Sequence, residues 1–558
     1  MRVAEAVGRA LAALGVDRAF GVVGSGNFHL TNAMIAGGVR FVAARHEGGA
    51  AVMADAYART SGRLGVLSVH QGPGVTNALT GITEAAKSRT PMVVLAPDTG
   101  AAGARSNFRL DQASLAAGIG AVYERVATPD GAVDDVVRAV RRARAERRTV
   151  ILGLPLDVQA AECAAPAPRP LPADPVVEPA PEAVAQLAAV LETAERPVFI
   201  AGRGARPDAA RGDAARDAIA ELAAASGALL ATSAVAKGLF AGDPWYLDVS
   251  GGFASPLAAE LITAADLVVA WGCTLNMWTT RHGRLLGPGA TVVQVDTDPD
   301  ALYANPRVDL GVLGDTAATA RAVTGAAPRG AAPRGAAPRE RYRRPEVRER
   351  IAREVRWRDV PYDDESTAHG IDPRTLSIAL DDALPAERVV AVDSGNFMGY
   401  PSMYLSVPDA AGFCFTQAFQ SIGLGLATAV GAALALPDRL PVAALGDGGF
   451  LMGVAELETV VRLGLPMLVV AYNDAAYGAE VHHFGPEGHP LETVSFPDTD
   501  LAAIGRGFGC DGATVRTKAD LDAVHSWLDG PRERPLVVDA KVVAARGSWW
   551  LEEAFRGH

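Results

Sequence analysis

Apolar residues fall along this chain in two alternating rhythms. Short unbroken runs such as Val66–Val69, Val198–Ala201, Leu267–Trp271, Val389–Val392 and Leu465–Ala471 end in glycine, aspartate or a small polar turn. Between them lie segments with apolar residues at helical spacing. Runs without in–out alternation suit strands buried on both faces, which is how parallel sheets covered by helices are built. The first third predicts a helix over 3–14, strands at 19–23, 39–43, 66–69 and 91–96, a helix over 133–147 and a strand at 150–155. The rhythm resumes with strands at 198–202, 229–232, 267–272 and 292–298, and again with a helix at 373–384 and strands at 389–393, 441–445 and 465–471. The expected class is α/β, with doubly wound parallel sheets. Single cores stop growing near roughly 250–300 residues, so 558 residues imply three or four such units.

Two stretches interrupt the rhythm. Residues 163–182 are crowded with Ala and Pro and predict an extended linker. Gly325–Arg339 repeats G-A-A-P-R three times and 340–358 is densely charged, so 325–369 is expected to be a low-complexity, solvated tether. The divisions are then 1–162, 183–324 and 370–558. A net charge of −12 argues against a general nucleic-acid binder. No run of 18 apolar residues escapes a charge or breaker, so neither a signal peptide nor a membrane span is expected. Cys163, Cys273, Cys414 and Cys510 are far apart, as in a reduced, cytoplasmic protein.

The densest chemistry lies between Leu445 and Phe484. A strand ends in Gly446-Asp447-Gly448-Gly449, a helical pattern follows, and a second strand ends in Asn473-Asp474. Ligands of open α/β sheets sit beyond the carboxyl ends of strands, so Asp447 and Asp474 are expected to converge on one crevice. Glycines let backbone approach a ligand, and two hard carboxylate oxygens suit a Mg²⁺ that keeps phosphate and water as its other ligands. A diphosphate cofactor fits this pattern best. Ser394-Gly395-Asn396, after the strand at 389–393, should approach the diphosphate from beside Gly446.

G-D-G, 24 residues, then Asn473-Asp474 resembles the thiamin-diphosphate signature, with Asp474 in place of its second asparagine. The resemblance covers nearly the whole chain and is to the three-domain enzymes that include acetolactate synthase, benzoylformate decarboxylase and pyruvate decarboxylase. It implies a pyrimidine-binding first domain, a Rossmann-like middle domain and a diphosphate-binding last domain. Arg45-His46-Glu47-Gly48-Gly49 and the residues to Arg59 resemble the segment that carries the cofactor-activating glutamate. On its own, Glu47 is only a first-turn glutamate favoured by the helix dipole. The resemblance makes it the group that hydrogen-bonds the aminopyrimidine and favours the tautomer that deprotonates thiamin C2.

Further roles rest on the same resemblance. Ile422 takes the place of the bulky residue on which thiamin bends, and the Ala476 carbonyl that of a main-chain metal ligand. His70, before the turn Gly72-Pro73-Gly74-Val75-Thr76-Asn77, and Ser25, in Gly24-Ser25-Gly26, fall where benzoylformate decarboxylase has a proton-handling histidine and a substrate-contacting serine. Glu480 takes the place of a catalytic glutamate of pyruvate decarboxylases. His29, His282, His482 and His483 are weaker candidates.

The implied activity is thiamin-diphosphate- and Mg²⁺-dependent decarboxylation of a small-molecule 2-oxo acid, with the remaining fragment joined to a second carbonyl compound as in acetolactate synthase. Simple decarboxylation of the benzoylformate decarboxylase type is the alternative that His70 and Glu480 favour. A non-catalytic paralogue or binding subunit is the reading from another class, and Glu47 and Asp447 stand against it. A homodimer or homotetramer is implied. FAD is expected to be absent, because Thr274-Leu275-Asn276-Met277-Trp278 replaces the arginine-bearing R-F-D-D-R segment of flavin-holding acetolactate synthases.

Overall fold

All eighteen strands found among the described residues pair in parallel, in three sheets of six. The computed structural model describes residues 1–554 except 101–102, 104, 165–167, 169–170, 173, 209–211, 306 and 327–339. The G-A-A-P-R repeats from 327 onward lie outside the described residues. The first sheet comprises β1 (Arg18–Gly21), β2 (Arg40–Ala43), β3 (Gly65–Ser68), β4 (Met92–Asp98), β5 (Val122–Arg125) and β6 (Thr149–Pro155), in the order β2-β1-β3-β4-β6-β5. The second comprises β7 (Pro197–Ala201), β8 (Leu229–Thr232), β9 (Tyr246–Val249), β10 (Leu267–Trp271), β11 (Thr291–Asp296) and β12 (Leu310–Leu313), in the order β12-β11-β10-β7-β8-β9. The third comprises β13 (Arg388–Val392), β14 (Phe413–Phe415), β15 (Leu440–Gly446), β16 (Leu468–Asn473), β17 (Asp511–Val515) and β18 (Leu536–Lys541), in the order β14-β13-β15-β16-β18-β17.

The hydrophobic pattern located the inner strands best. β5, β9, β12, β14 and β17 lie at sheet edges; β5, β9 and β17 are partly exposed with mixed polar sequences, and β12 is a partly exposed four-residue stretch broken by a glycine. β14 is buried but only three residues long. β18 is an inner strand that the pattern also left unassigned.

The first and third sheets share one core. The helix Glu47–Ser61 is capped by His46, whose Nδ1 accepts from the Gly48 N–H at 3.0 Å, and ends at Gly62 with φ of 68°. Alanine-rich on every side, it is buried almost throughout and packs on the helix Gly425–Ala435. A Cβ at Gly431 would stand 2.4 Å from the Met53 carbonyl, so only glycine permits this approach. Ala50, Met53 and Ile82 belong to the same apolar cluster as Ala427, Val430 and Leu445.

Polar groups fix the register of this contact. Arg59, buried, pairs with Asp55 at 2.6 Å and Glu84 at 2.7 Å and donates to the Phe415 carbonyl at 3.1 Å. Glu84 in turn accepts from the N–H groups of Ala418 (3.1 Å) and Phe419 (2.6 Å). The middle unit has its own apolar clusters and meets the third through Ala234, Val235, Phe253 and Trp278, which pack on the third unit's apolar cluster, and through polar contacts such as Lys237 Nζ to the Ser402 carbonyl (2.7 Å).

The charged stretch after the repeats is not a solvated tether. Tyr342 is buried and donates to the Leu261 carbonyl at 2.7 Å, Arg343 donates to the Ala228 carbonyl at 2.7 Å, and the helix Pro345–Glu354 buries Ile351 against the middle unit. Its arginines satisfy carbonyls at helix ends, a role that charge density alone does not reveal. All four cysteines are buried and unpaired, and no helix among the described residues is long and apolar enough to cross a membrane.

Removing one member of a buried ionic network leaves an uncompensated charge. Glu84→Ala is expected to lower stability by about 3–5 kcal/mol. Urea denaturation of the variant beside the wild type measures it.

Candidate active site

The carboxyl ends of β13, β15 and β16 open together on a cavity of about 460 Å³. It lies at the point where the third sheet reverses its winding, since β14 sits on one side of β13 and β15 on the other. Ser394, Gly395 and Asn396 line it after β13, Gly446, Asp447, Gly448 and Gly449 after β15, and Asp474, Ala476 and Glu480 after β16, with Ile422 completing the wall.

Neighbouring strand-end residues divide their tasks. Asn473 is buried; its amide donates to Asp539 at 2.8 Å and its oxygen accepts from the Ala475 N–H at 3.0 Å. The next residue, Asp474, faces the cavity. Ala475 then takes φ of 54°, a left-handed conformation uncommon for alanine. It is held by the bond from Phe496 N–H to its carbonyl (2.8 Å) and by that from Tyr477 N–H to the Val494 carbonyl (2.9 Å). This bend turns Ala476 into the cavity lining.

The two cavity carboxylates face each other unfavourably. Burial pushes Asp447 up to about 6, and burial together with the charge of Asp447 pushes Asp474 up to about 7. A cation between them would reverse that penalty. No three His, Cys, Asp or Glu side chains cluster as a metal site among the described residues, so an ion here would draw further ligands from carbonyl, phosphate or water oxygens. The glycine walls pack too closely on neighbouring groups to admit a side chain. A Cβ at Gly448 would lie 2.7 Å from the Tyr477 ring, and one at Gly449 2.3 Å from Asp393 Oδ2.

The first sheet gathers a second set of candidates at its own reversal point. Ser25 follows β1, Glu47 follows β2 and His70 follows β3. His70 Nδ1 accepts from the Gly26 N–H at 3.1 Å, so in the neutral ring Nε2 carries the proton. Its ring meets Phe108 edge-on at 5.4 Å. Glu47 Oε2 accepts from Asn77 at 3.1 Å, and Ser25 is exposed. None of the three lines the cavity around Asp447, whose walls come from the third unit and Trp278. Of the weaker candidates, His29 and His282 are exposed, His483 lies against Phe484, and His482 packs against Gly547 with burial lowering its pKa.

Family models match residues 1–115 as the N-terminal TPP binding domain, 184–323 as the central domain and 393–540 as the C-terminal TPP binding domain of thiamine pyrophosphate enzymes. A sulfoacetaldehyde acetyltransferase of Alcaligenes xylosoxydans xylosoxydans is 30% identical over 544 residues, covering 92% of this chain and 88% of that protein. The chain belongs to the thiamine pyrophosphate enzymes. Other relatives of this thiamine pyrophosphate enzyme carry different names. A probable 2-ketoarginine decarboxylase of Pseudomonas aeruginosa is 31% identical over 541 residues (94% of this chain, 90% of that protein). An acetolactate synthase of Bacillus subtilis is 27% identical over 552 residues (97% and 93%). Thiamine pyrophosphate and thiamin diphosphate are the same molecule.

Several residues that shape the site of this thiamine pyrophosphate enzyme escape a reading of its motifs. Asp393 follows β13 as Asp447 follows β15, yet it turns inward and accepts from the N–H groups of Ser394 (2.8 Å), Gly423 (3.0 Å) and Leu424 (3.2 Å). Its place at a strand end was a visible signal; its direction was not. Glu456 accepts from the N–H groups of Arg45 (3.1 Å) and His46 (3.0 Å), so the third unit anchors the residues just before Glu47. The Ser548–Trp550 segment, aromatic with no evident purpose in the sequence, covers Asn396. Ser548 Oγ and Trp550 Nε1 both donate to the Asn396 carbonyl, at 2.7 and 2.8 Å.

Asp393→Asn sets an amide donor among backbone donors and is expected to cost about 1–3 kcal/mol. Burial raises Asp393 from 3.8 to about 6. Its proton-linked contribution is therefore full below 3.8 and lost as pH rises through 6. The stability gap between wild type and Asp393→Asn should widen from pH 7 to pH 5 in urea denaturation of the cofactor-free protein.

Proposed function

We propose that this enzyme uses thiamin diphosphate with Mg²⁺ to decarboxylate a 2-oxo acid and to transfer the remaining fragment to a second carbonyl compound. The observation that carries the reading is the convergence of Asp447 and Asp474 in one glycine-walled cavity with Ile422 and Glu480. When bound, the cofactor supplies the carbon that adds to the ketone and the electron sink that lets CO₂ depart. Asp447, Asp474 and the Ala476 carbonyl would hold Mg²⁺, while Ser394–Asn396 and Gly446–Gly449 would line the diphosphate. Ile422 would support the bent thiamin.

Glu47 lies outside this chain's own cavity, which supports a homodimer whose partner brings its Glu47 to the pyrimidine ring. Two-fold symmetry then builds two equal sites. In each, Glu47 would hold its hydrogen bond to the ring, and Ser25 and His70 Nε2 would meet the substrate from the same side. Two dimers joined as a tetramer would use the same arrangement. The Thr274–Trp278 segment, without arginines, supports an enzyme that needs no FAD.

Transfer to a carbonyl acceptor is supported by relatives named sulfoacetaldehyde acetyltransferase and acetolactate synthase. A second reading, simple decarboxylation, is favoured by Glu480, an exposed carboxyl on the cavity lining that can hand over a proton. Product analysis separates the two. With thiamin diphosphate, Mg²⁺ and pyruvate or other 2-oxo acids, alone and with acceptors that include sulfoacetaldehyde, the expected outcome is CO₂ release with a transfer or ligation product. Aldehyde alone would establish the decarboxylase, and no CO₂ from any 2-oxo acid would return the chain to a binding role.

Glu47→Gln tests the activation step. The variant should fold and retain diphosphate affinity, because Asp447 and Asp474 belong to another sheet. It should lose most exchange of the thiamin C2 proton, at least about a hundredfold, as expected when a proton-transfer group is removed. Exchange at the wild-type rate by NMR would reduce Glu47 to a helix-start residue.

A further inference from the structure

Ile422 sits on a strap that two buried carboxylates hold, one at each end. Residues 416–424 lead from β14 to the helix Gly425–Ala435. On one side, Gln420 and Ile422 line the cavity around Asp447; on the other, Ala418 and Gln420 line a second cavity, of about 360 Å³, where the three units meet. A segment with open space on both faces gains little from packing, so its course depends on its anchors.

The first anchor belongs to another unit. Glu84, fully buried and paired with Arg59, accepts from the N–H groups of Ala418 (3.1 Å) and Phe419 (2.6 Å). The second anchor is Asp393, also fully buried. Both of its oxygens accept from the Gly423 N–H, at 3.1 and 3.0 Å, and Oδ1 accepts from Leu424 as well, at 3.2 Å. The Asp393 N–H donates to the Ala444 carbonyl at 3.0 Å, so this carboxylate stands on the β13–β15 ladder. Gly423 and Leu424 lead into the helix Gly425–Ala435, whose N-terminal end favours negative charge. A carboxylate offers acceptors on both oxygens and no donor, which suits a set of N–H groups; an amide in its place brings two N–H groups of its own.

Between the anchors the chain bends sharply. Gln420 takes φ of 60° and Gly423 φ of 88°, and Ser421 Oγ donates to the Ile422 carbonyl at 3.2 Å. Gln420, Ser421 and Ile422 alone lie between the anchored N–H groups of Phe419 and Gly423, so their course is set once both ends are held. Gly449 stands against the second anchor, since a Cβ there would lie 2.3 Å from Asp393 Oδ2. Neither Glu84 nor Asp393 lines the cavity around Asp447.

We infer that Glu84 and Asp393 are positioning residues of the thiamin site, which together fix the strap whose Ile422 side chain supports the bent cofactor. The inference rests on the thiamin-diphosphate reading above. It gives the charge cluster of the first unit a part in cofactor geometry within the same chain, separate from that of Glu47. Loss of either anchor loosens the strap and misplaces Ile422, while Asp447 and Asp474 still hold the diphosphate end.

The test uses the full-length protein with Asp393→Asn, Glu84→Gln, Ile422→Ala and the double variant of Asp393→Asn with Ile422→Ala. In the cofactor-free state, amide hydrogen exchange read by mass spectrometry should be at least about tenfold faster over residues 417–424 in either anchor variant, ahead of any change over the inner strand β15. With thiamin diphosphate and Mg²⁺ at saturation, the thiamin C2 proton should exchange about ten- to a hundredfold more slowly in each single variant, as a misplacement of about 1 Å produces. Because Asp393 acts through Ile422, the double variant should be no slower than the slower single one. Losses that multiply across the pair overturn the inference, as does unchanged amide exchange over the strap. Glu84→Gln with Ile422→Ala completes the same cycle if Asp393→Asn fails to fold. A wild type that binds no thiamin diphosphate, or an Ile422→Ala variant with the wild-type C2 exchange rate, overturns the thiamin reading beneath it as well.

Discussion

Much of this molecule's geometry depends on one buried guanidinium. Arg59 binds Asp55 and Glu84 inside the first unit and the Phe415 carbonyl of the third. Buried ion pairs add little net stability over an apolar replacement, but they tolerate few alternative arrangements. Glu84 passes the constraint on, because its contacts to Ala418 and Phe419 fix the segment that continues to Gln420 and Ile422. That segment walls both cavities. A charge cluster in the first unit therefore holds a wall shared by two cavities built mostly from the other units.

The three sheets repeat one topological device for different purposes. Each reverses its winding once, and at each reversal the strand ends carry polar residues: Ser25, Glu47 and His70 in the first, Arg203 in the second, Asp447 and Asp474 in the third. The carboxylates of the third repel each other, the guanidinium of the second donates to the Ser88 carbonyl, and in the first the Gly26 N–H leaves the proton of the neutral His70 ring on Nε2. Backbone topology supplies the crevice, while the one or two side chains after each strand choose its chemistry.

Sequence was informative where cause and effect lie close along the chain. The glycines around Asp447 and the pair Asn473-Asp474 mark strand ends within a few residues, and apolar runs located the inner strands that they terminate. It was silent where partners lie far apart. Nothing local tells that Asp393 turns inward while Asp447 faces a ligand cavity, since the difference lies in the N–H groups of Gly423 and Leu424. Glu456 meets Arg45 and His46 from over 400 residues away, and Arg203 of the middle unit reaches the Ser88 carbonyl of the first. The charged stretch around Tyr342 misled because arginine serves carbonyl groups as readily as it serves water.

The shared core of the first and third sheets has a consequence for how such chains can be recombined. Three similar sheets in sequence look like exchangeable modules, but the helix Glu47–Ser61 and the helix Gly425–Ala435 bury their small-residue faces in each other. A graft of either sheet alone into a related enzyme would bring half an interface, with Gly431 facing a helix not shaped for it. The middle sheet keeps apolar clusters of its own, and Ala234, Val235, Phe253 and Trp278 pack on the cluster of the third, so an exchange there must preserve that smaller seam. The two outer segments of the gene should therefore change together, each constrained by the small-residue face of the other.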